Sequence, residues 1–335
     1  MKTFLNALRS SSYSTPSTST ASSTSISPLC GRPTHVPKDP TAIRAIITPT
    51  LLEQCTCDIH SAAHYFDYPL SCHSEHLPSD LTIHPHRRPL LNEPDAHNHP
   101  YNALFLARAT VKWFAREEEI MDAPQRGGLI VFRNMVKEGL MERLNAADCR
   151  KTLDEEYMGG VVRSLCDVFF FGEDLLGRGF KWSRSKETEW ECGEKTPLIR
   201  IHPISYDEAV YTSRACQRLG AIMHDLIRVF LSQHACPDCK WAWKENVNIR
   251  GRGRAWQVMA KGIEEAGPKL LGVRDIGLRR LACLVADVED EVEKVSRHDL
   301  EVYGYSKLLD VDEVETEGGL DDEGWVMVDG IAPSP

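Results

Sequence analysis

A chain of 335 residues with 42% hydrophobic and 26% charged side chains has the balance of a soluble globular protein, long enough for two domains but expected to hold one main core. No stretch of about 18 apolar residues occurs, which excludes a helical membrane span. The net charge of -10 is lopsided: residues 287–329 carry 16 acidic and 3 basic side chains, and their net of -13 leaves about +3 for the rest, too weak to demand nucleic acid.

Residues 1–40 form a Ser/Thr-rich tail that cannot build a core. No acid precedes Asp39, while Lys2, Arg9, Arg32 and Lys38 do. That composition makes a mitochondrial transit peptide the alternative to a plain disordered tail. The eleven cysteines are irregularly spaced, so reduced thiols in an intracellular compartment, nucleus or cytoplasm, are expected. Residues 41–100 are a Pro-, His- and Cys-rich linker. Within it Cys55, Cys57, His60 and His64 have zinc-ligand chemistry, but at a spacing that matches no trusted finger.

Regular structure is expected over residues 101–285. Apolar side chains recur at helical spacing from Tyr101 to Ile120, from Leu129 to Leu144 (with Ile130 and Val131 among them) and from Leu153 to Phe171. Phe180–Ser183 and Leu198–Ile201 alternate like short strands, and the polar connection between them suits a hairpin. Ser205 and Glu208 form a capping-box pattern ahead of a deeply apolar helix through Leu219, Ile222, Met223, Leu226, Ile227, Phe230 and Leu231. A further helix is expected from Arg254 to Ala266, stopped by Gly267-Pro268, and a last one from about Ile276 to Val295. Residues 286–335 then read as an acidic tail.

The apolar helix carries His224-Asp225-Leu226-Ile227-Arg228, and Gly251-Arg252-Gly253-Arg254-Ala255-Trp256 follows it. Together these resemble the His-Glu-x-x-His helix and the later Gly-His-Gly segment of SprT-like domains, the Spartan-type zinc metallopeptidases. Fungal SprT-like proteins are similar also in having cysteines between the two motifs, as Cys236 and Cys239 are here. The resemblance covers about residues 150–285. It implies an α+β, zincin-like fold with a short hairpin or sheet packed on a buried ligand-bearing helix, and a client class of DNA or protein.

Two histidines at i and i+4 share a helix face and can hold one zinc ion. A third ligand leaves one position for water, and the neighbouring Glu takes that water's proton. Carried over by resemblance, His224 is the only surviving ligand and Asp225 stands at the general-base position. Arg228 and Arg252 occupy the other two ligand positions. A guanidinium has no lone pair to give and repels a cation, and the Asp225 carboxylate is one methylene short. A degenerate metallopeptidase acting as a DNA- or protein-binding module is therefore expected. The alternative is an active zinc peptidase of the crosslink-repair class that recruits His202 or His234.

Asp225 and Arg228 are spaced to pair, with Arg252 approaching. The sharper alternative is an anion pocket made by the two arginines. His234, Cys236 and Cys239 offer part of a structural zinc site, a better home for zinc than the degenerate catalytic one. Trp241 and Trp243 alternate between core strand and base-stacking surface. At the C-terminus, Asp321-Asp322-Glu323-Gly324-Trp325-Val326-Met327-Val328 has the pattern of an Atg8-interacting motif. Trp325 and Val328 would fill the two pockets of an Atg8-like partner.

Overall fold

The structure, a computed structural model, describes residues 39–48, 103–175, 179–183, 199–203, 213–235, 246–273 and 275–308. The first helix, α1 (Pro40–Ile47), starts on Asp39, whose carboxylate accepts from the Thr41 amide, with Pro40 at the first helical position. Next come α2 (Ala103–Phe114), α3 (Ala123–Lys137), α4 (Leu140–Asn145) and α5 (Glu155–Phe169). Gly139, in the left-handed region at φ 88°, splits the helix expected over 129–144 into α3 and α4. Asp122 caps α3 and Asp154 caps α5, each accepting a hydrogen bond from the amide three residues on.

The strands β1 (Phe180–Trp182) and β2 (Ile199–Ile201) fall where alternation put them, but they run parallel, with Phe180 opposite Ile199 and Trp182 opposite Ile201. The hairpin expectation is corrected on this point. Sixteen residues separate the strands, room enough for the crossover that parallel pairing requires. The Trp182 indole N–H donates to the Leu153 carbonyl at 3.1 Å, fixing β1 against the start of α5.

The long helix α6 (Arg214–His234) is capped by Ser213, which accepts from the Cys216 amide at 3.2 Å. Ser205 is not its cap. α7 (Arg254–Leu271) runs past Gly267-Pro268, with Pro268 inside the helix, and ends on left-handed Gly272. α8 (Arg280–Glu289) and α9 (Arg297–Val302) complete the described α-helices. α9 has a full capping box between Ser296 and Asp299.

The main core gathers α2–α7 and the strand pair around α6, with Leu219, Ile222, Met223, Leu226, Ile227 and Phe230 all buried. Gly220 lets α6 approach closely: a Cβ there would strike the carbonyl oxygens of Ile276 and Gly277. Ile130 and Val131, counted toward the α3 stripe, are instead exposed at 57% and 46%; Leu129 and Phe132 form the inner face. A smaller core joins Ile43 and Ile47 of α1 to Leu284, Val285 and Val288 of α8 and to Leu300 and Tyr303. This α1–α8–α9 cap corrects two expected boundaries: the linker set at 41–100 begins as a packed helix, and residues 286–308 belong to the folded body.

Candidate functional site

α6 buries every residue from Leu219 to Leu231, so its aligned site residues lie inside the protein. The His224 side chain is fully buried, its ring meeting the Trp256 ring edge-on at 5.0 Å between centroids. The Trp256 indole N–H donates to the His224 carbonyl at 3.3 Å. On its other side, His224 Nδ1 lies 3.1 Å from Asp225 Oδ1. Arg228 Nη1 stands 3.9 Å from the same oxygen, at the outer limit of an ion pair. The expected Asp225–Arg228 pairing on the helix is thus present, with His224 as a closer third member.

The second motif folds back onto this helix. Asn248, itself at φ 55°, accepts on Oδ1 from the amides of Arg250 at 2.8 Å and Arg252 at 3.1 Å. Gly251 is left-handed at φ 67°, and a Cβ there would sit 3.2 Å from Arg228 Nε. Gly253 lies against the backbone of Asn246 and Val247, leaving no room for a side chain. The two glycines therefore have local reasons: one allows the turn, the other the close approach. As a result Arg228 and the 251–253 loop are neighbours.

Arg252, however, is held by Asp287 of α8, and both side chains are nearly fully buried. Arg250 donates to Asp287 at 2.9 Å and to Asp290 at 2.8 Å, and Arg254 pairs with Asp299 at 3.0 Å. The carboxylates come from the stretch that composition alone assigned to a solvated tail. Arg252 was expected to approach Asp225 or to join Arg228 around an anion. Its described ion pair is with Asp287. Asn248, Asp287, Glu293 and Asp299 were missed by sequence reasoning. The one available signal was the Arg250-Arg252-Arg254 alternation upstream of an acidic run that is punctuated by buried-type apolar residues.

This donor set does not fit a catalytic zinc ion. One imidazole and one short carboxylate stand beside the permanent cation of Arg228, and Arg252, expected at the third ligand position, is a second cation paired with Asp287. Among the described residues, no three His, Cys, Asp or Glu side chains are grouped to hold a metal. His234 stands ten residues beyond His224 on α6, roughly 15 Å along the axis, and lies 3.9 Å from Glu173, so it cannot share an ion with His224. His202 follows β2 and is buried.

Burial pushes the Cys149 thiol up to about 11 and raises Cys166 further still, so neither is a nucleophile at neutral pH. Cys283 is buried in the main core and Cys216 is partly buried. The residues Cys236, Cys239, Trp241, Trp243, Trp325 and Val328, and the Cys/His group of 55–99, lie outside the described residues. No helix among the described residues is long and apolar enough to cross a membrane.

No protein-family model matches the chain, and neither curated proteins nor solved structures show a significant match to it.

Proposed function

We propose that this protein is a catalytically silent SprT-like module that acts by binding a client rather than cleaving it. The observation that carries the reading is the Arg252–Asp287 ion pair: the third ligand position holds a cation, and α8 supplies the carboxylate that neutralises it. Arg228 beside Asp225 and against Gly251 supports the same reading, because the space near His224 is filled by charged side chains of the chain itself. Buried charge with matched partners keeps a fold whose metal is gone from collapsing around an uncompensated group.

Of the two client classes, DNA and protein, the geometry favours protein. Asp287, Asp290 and Asp299 already neutralise the arginine loop, leaving it little net charge to offer phosphates. Zinc, if carried, belongs with Cys236 and Cys239 as a structural ion, and the C-terminal Trp325–Val328 motif is a separate tether for an Atg8-like partner.

Metal analysis of the purified full chain tests the reading. Any zinc found should survive His224→Ala and be lost with Cys236→Ser, and added zinc should confer no peptidase activity. One zinc per chain that disappears with His224→Ala, accompanied by proteolysis, would overturn it in favour of an active peptidase. The client preference is tested separately with a labelled oligonucleotide: Arg250→Ala should leave its binding unchanged, whereas a marked loss would restore DNA as the client.

A further inference from the structure

The junction between the arginine loop and the cap is nearly balanced in charge. Arg250, Arg252 and Arg254 on the loop side meet Asp287, Asp290 and Asp299 on the cap side, three against three. Glu293 is the carboxyl this pairing does not account for. It lies between α8 and α9 and is only 8% exposed, although no cation is in ion-pair contact with it among the described residues.

Its place is fixed from both sides. Val292 and Glu293 donate their amides to the Asp287 carbonyl at 2.8 and 3.0 Å, holding the segment to the end of α8. The Asn248 side-chain amide donates to Glu293 Oε2 at 2.7 Å. The same Asn248 shapes the loop by accepting from Arg250 and Arg252, so one side chain both builds the loop and ties it to the cap. Charged groups face Glu293 from three elements: Arg254 of α7 favours its ionised form, while Asp287 of α8 and Asp299 of α9 oppose it. Removal from water outweighs all of these, and the carboxyl is pushed up to about 8.

We propose that Glu293 is a proton-operated latch: neutral, it seals the junction between the Asn248–Gly253 loop and the α1–α8–α9 cap, and ionised, it loosens that junction. A buried carboxylate adds a fourth negative charge to a balanced set. Relief comes by admitting water, and residues 292–308, which pack on the smaller core through Val295, Leu300 and Tyr303, are the segment that swings outward. This inference stands apart from the reading of the His224 centre and does not depend on what the module binds.

Hydrogen exchange of the full chain between pH 6.5 and 9.5, corrected for intrinsic amide chemistry, tests it. Peptides covering 292–308 and 246–253 should lose about tenfold in protection across that range, while peptides of α5 and α6 keep theirs. Glu293→Gln, an isostere of the neutral acid, should stay protected throughout, and Glu118→Gln, which removes an exposed carboxylate paired with Arg133 and outside the junction, should follow the wild-type profile. The proposal fails if Glu293→Gln loses protection as the wild type does, if the wild type loses none, or if Glu293→Gln does not fold.

Discussion

Arg218 in the main core and Arg252 under the cap are both almost completely buried, yet they are satisfied in different ways. Among its described hydrogen bonds, Arg218 donates to the backbone carbonyls of Leu144, Ala146, Ala147 and Pro203, so it joins the end of α4 to the end of β2 with one guanidinium. Arg252 is satisfied by a carboxylate from a helix more than thirty residues on in sequence. Carbonyls do not titrate and cannot be neutralised by a single substitution. Carboxylates can be both. The Arg218 contacts are therefore made to groups indifferent to pH, whereas the junction under the cap holds Glu293, whose carboxyl burial pushes up to about 8.

Substitutions should separate the two regions. The largest effect is expected from Arg218→Met, which leaves several buried carbonyls without a donor; urea unfolding should show a loss of about 4 kcal/mol, the same at pH 6 and pH 9. Asp287→Asn strips the carboxylate from Arg252 and Arg250 and should cost about 3 kcal/mol in the same measurement, with the cap peptides exchanging first. If Asp287→Asn instead unfolds the whole chain cooperatively with no prior opening, the cap is not a separate region.

Glu293 gives the comparison its pH dependence. With a folded value near 8 and an ordinary carboxyl unfolded, the folded state alone keeps the proton between about 4.5 and 8. Stability then falls as pH rises through that window and levels off above it. Glu293→Gln should match wild type near pH 5 and exceed it at pH 9 by on the order of 3–5 kcal/mol in urea titrations; equal curves at pH 9 would remove the effect. The smallest change should come from Asp290→Asn, whose exposed partnership with Arg250 is worth under about 0.5 kcal/mol and should vanish in 0.5 M salt.

The sequence made some of this legible and hid the rest for identifiable reasons. The α6 helix, its buried face and both strand positions follow from apolar periodicity, because burial on one side imposes a repeat. Strand direction does not follow, since a polar connection of this length permits either a hairpin or a crossover. The Ser205–Glu208 pattern was a sound cap signal attached to the wrong start, with Ser213 nearer the first helical turn. The most consequential miss was the acidic stretch. Summing charge treats Asp287 and Asp299 like Asp321 and Asp322, although the first two are nearly inaccessible. What distinguishes them is the arginine loop they reach, and such pairing over more than thirty residues leaves no local mark. At the candidate site, Gly251 brings the loop against Arg228, but nothing local in the sequence revealed that Asp287 would pair with Arg252.

The contact between α1 and the cap also sets an order of events. Arg44 donates to the Lys307 carbonyl across 263 positions of chain. At about 5–20 residues per second of synthesis, α1 would wait roughly 13–53 s for that partner to be made. Eight residues are too few to hold a helix unaided, so Ile43 and Ile47 spend the interval in water or on a chaperone. The earliest of the described helices is then among the last to find its place, and a message truncated before residue 280 would release a chain whose α1 lacks the α8 face it packs on.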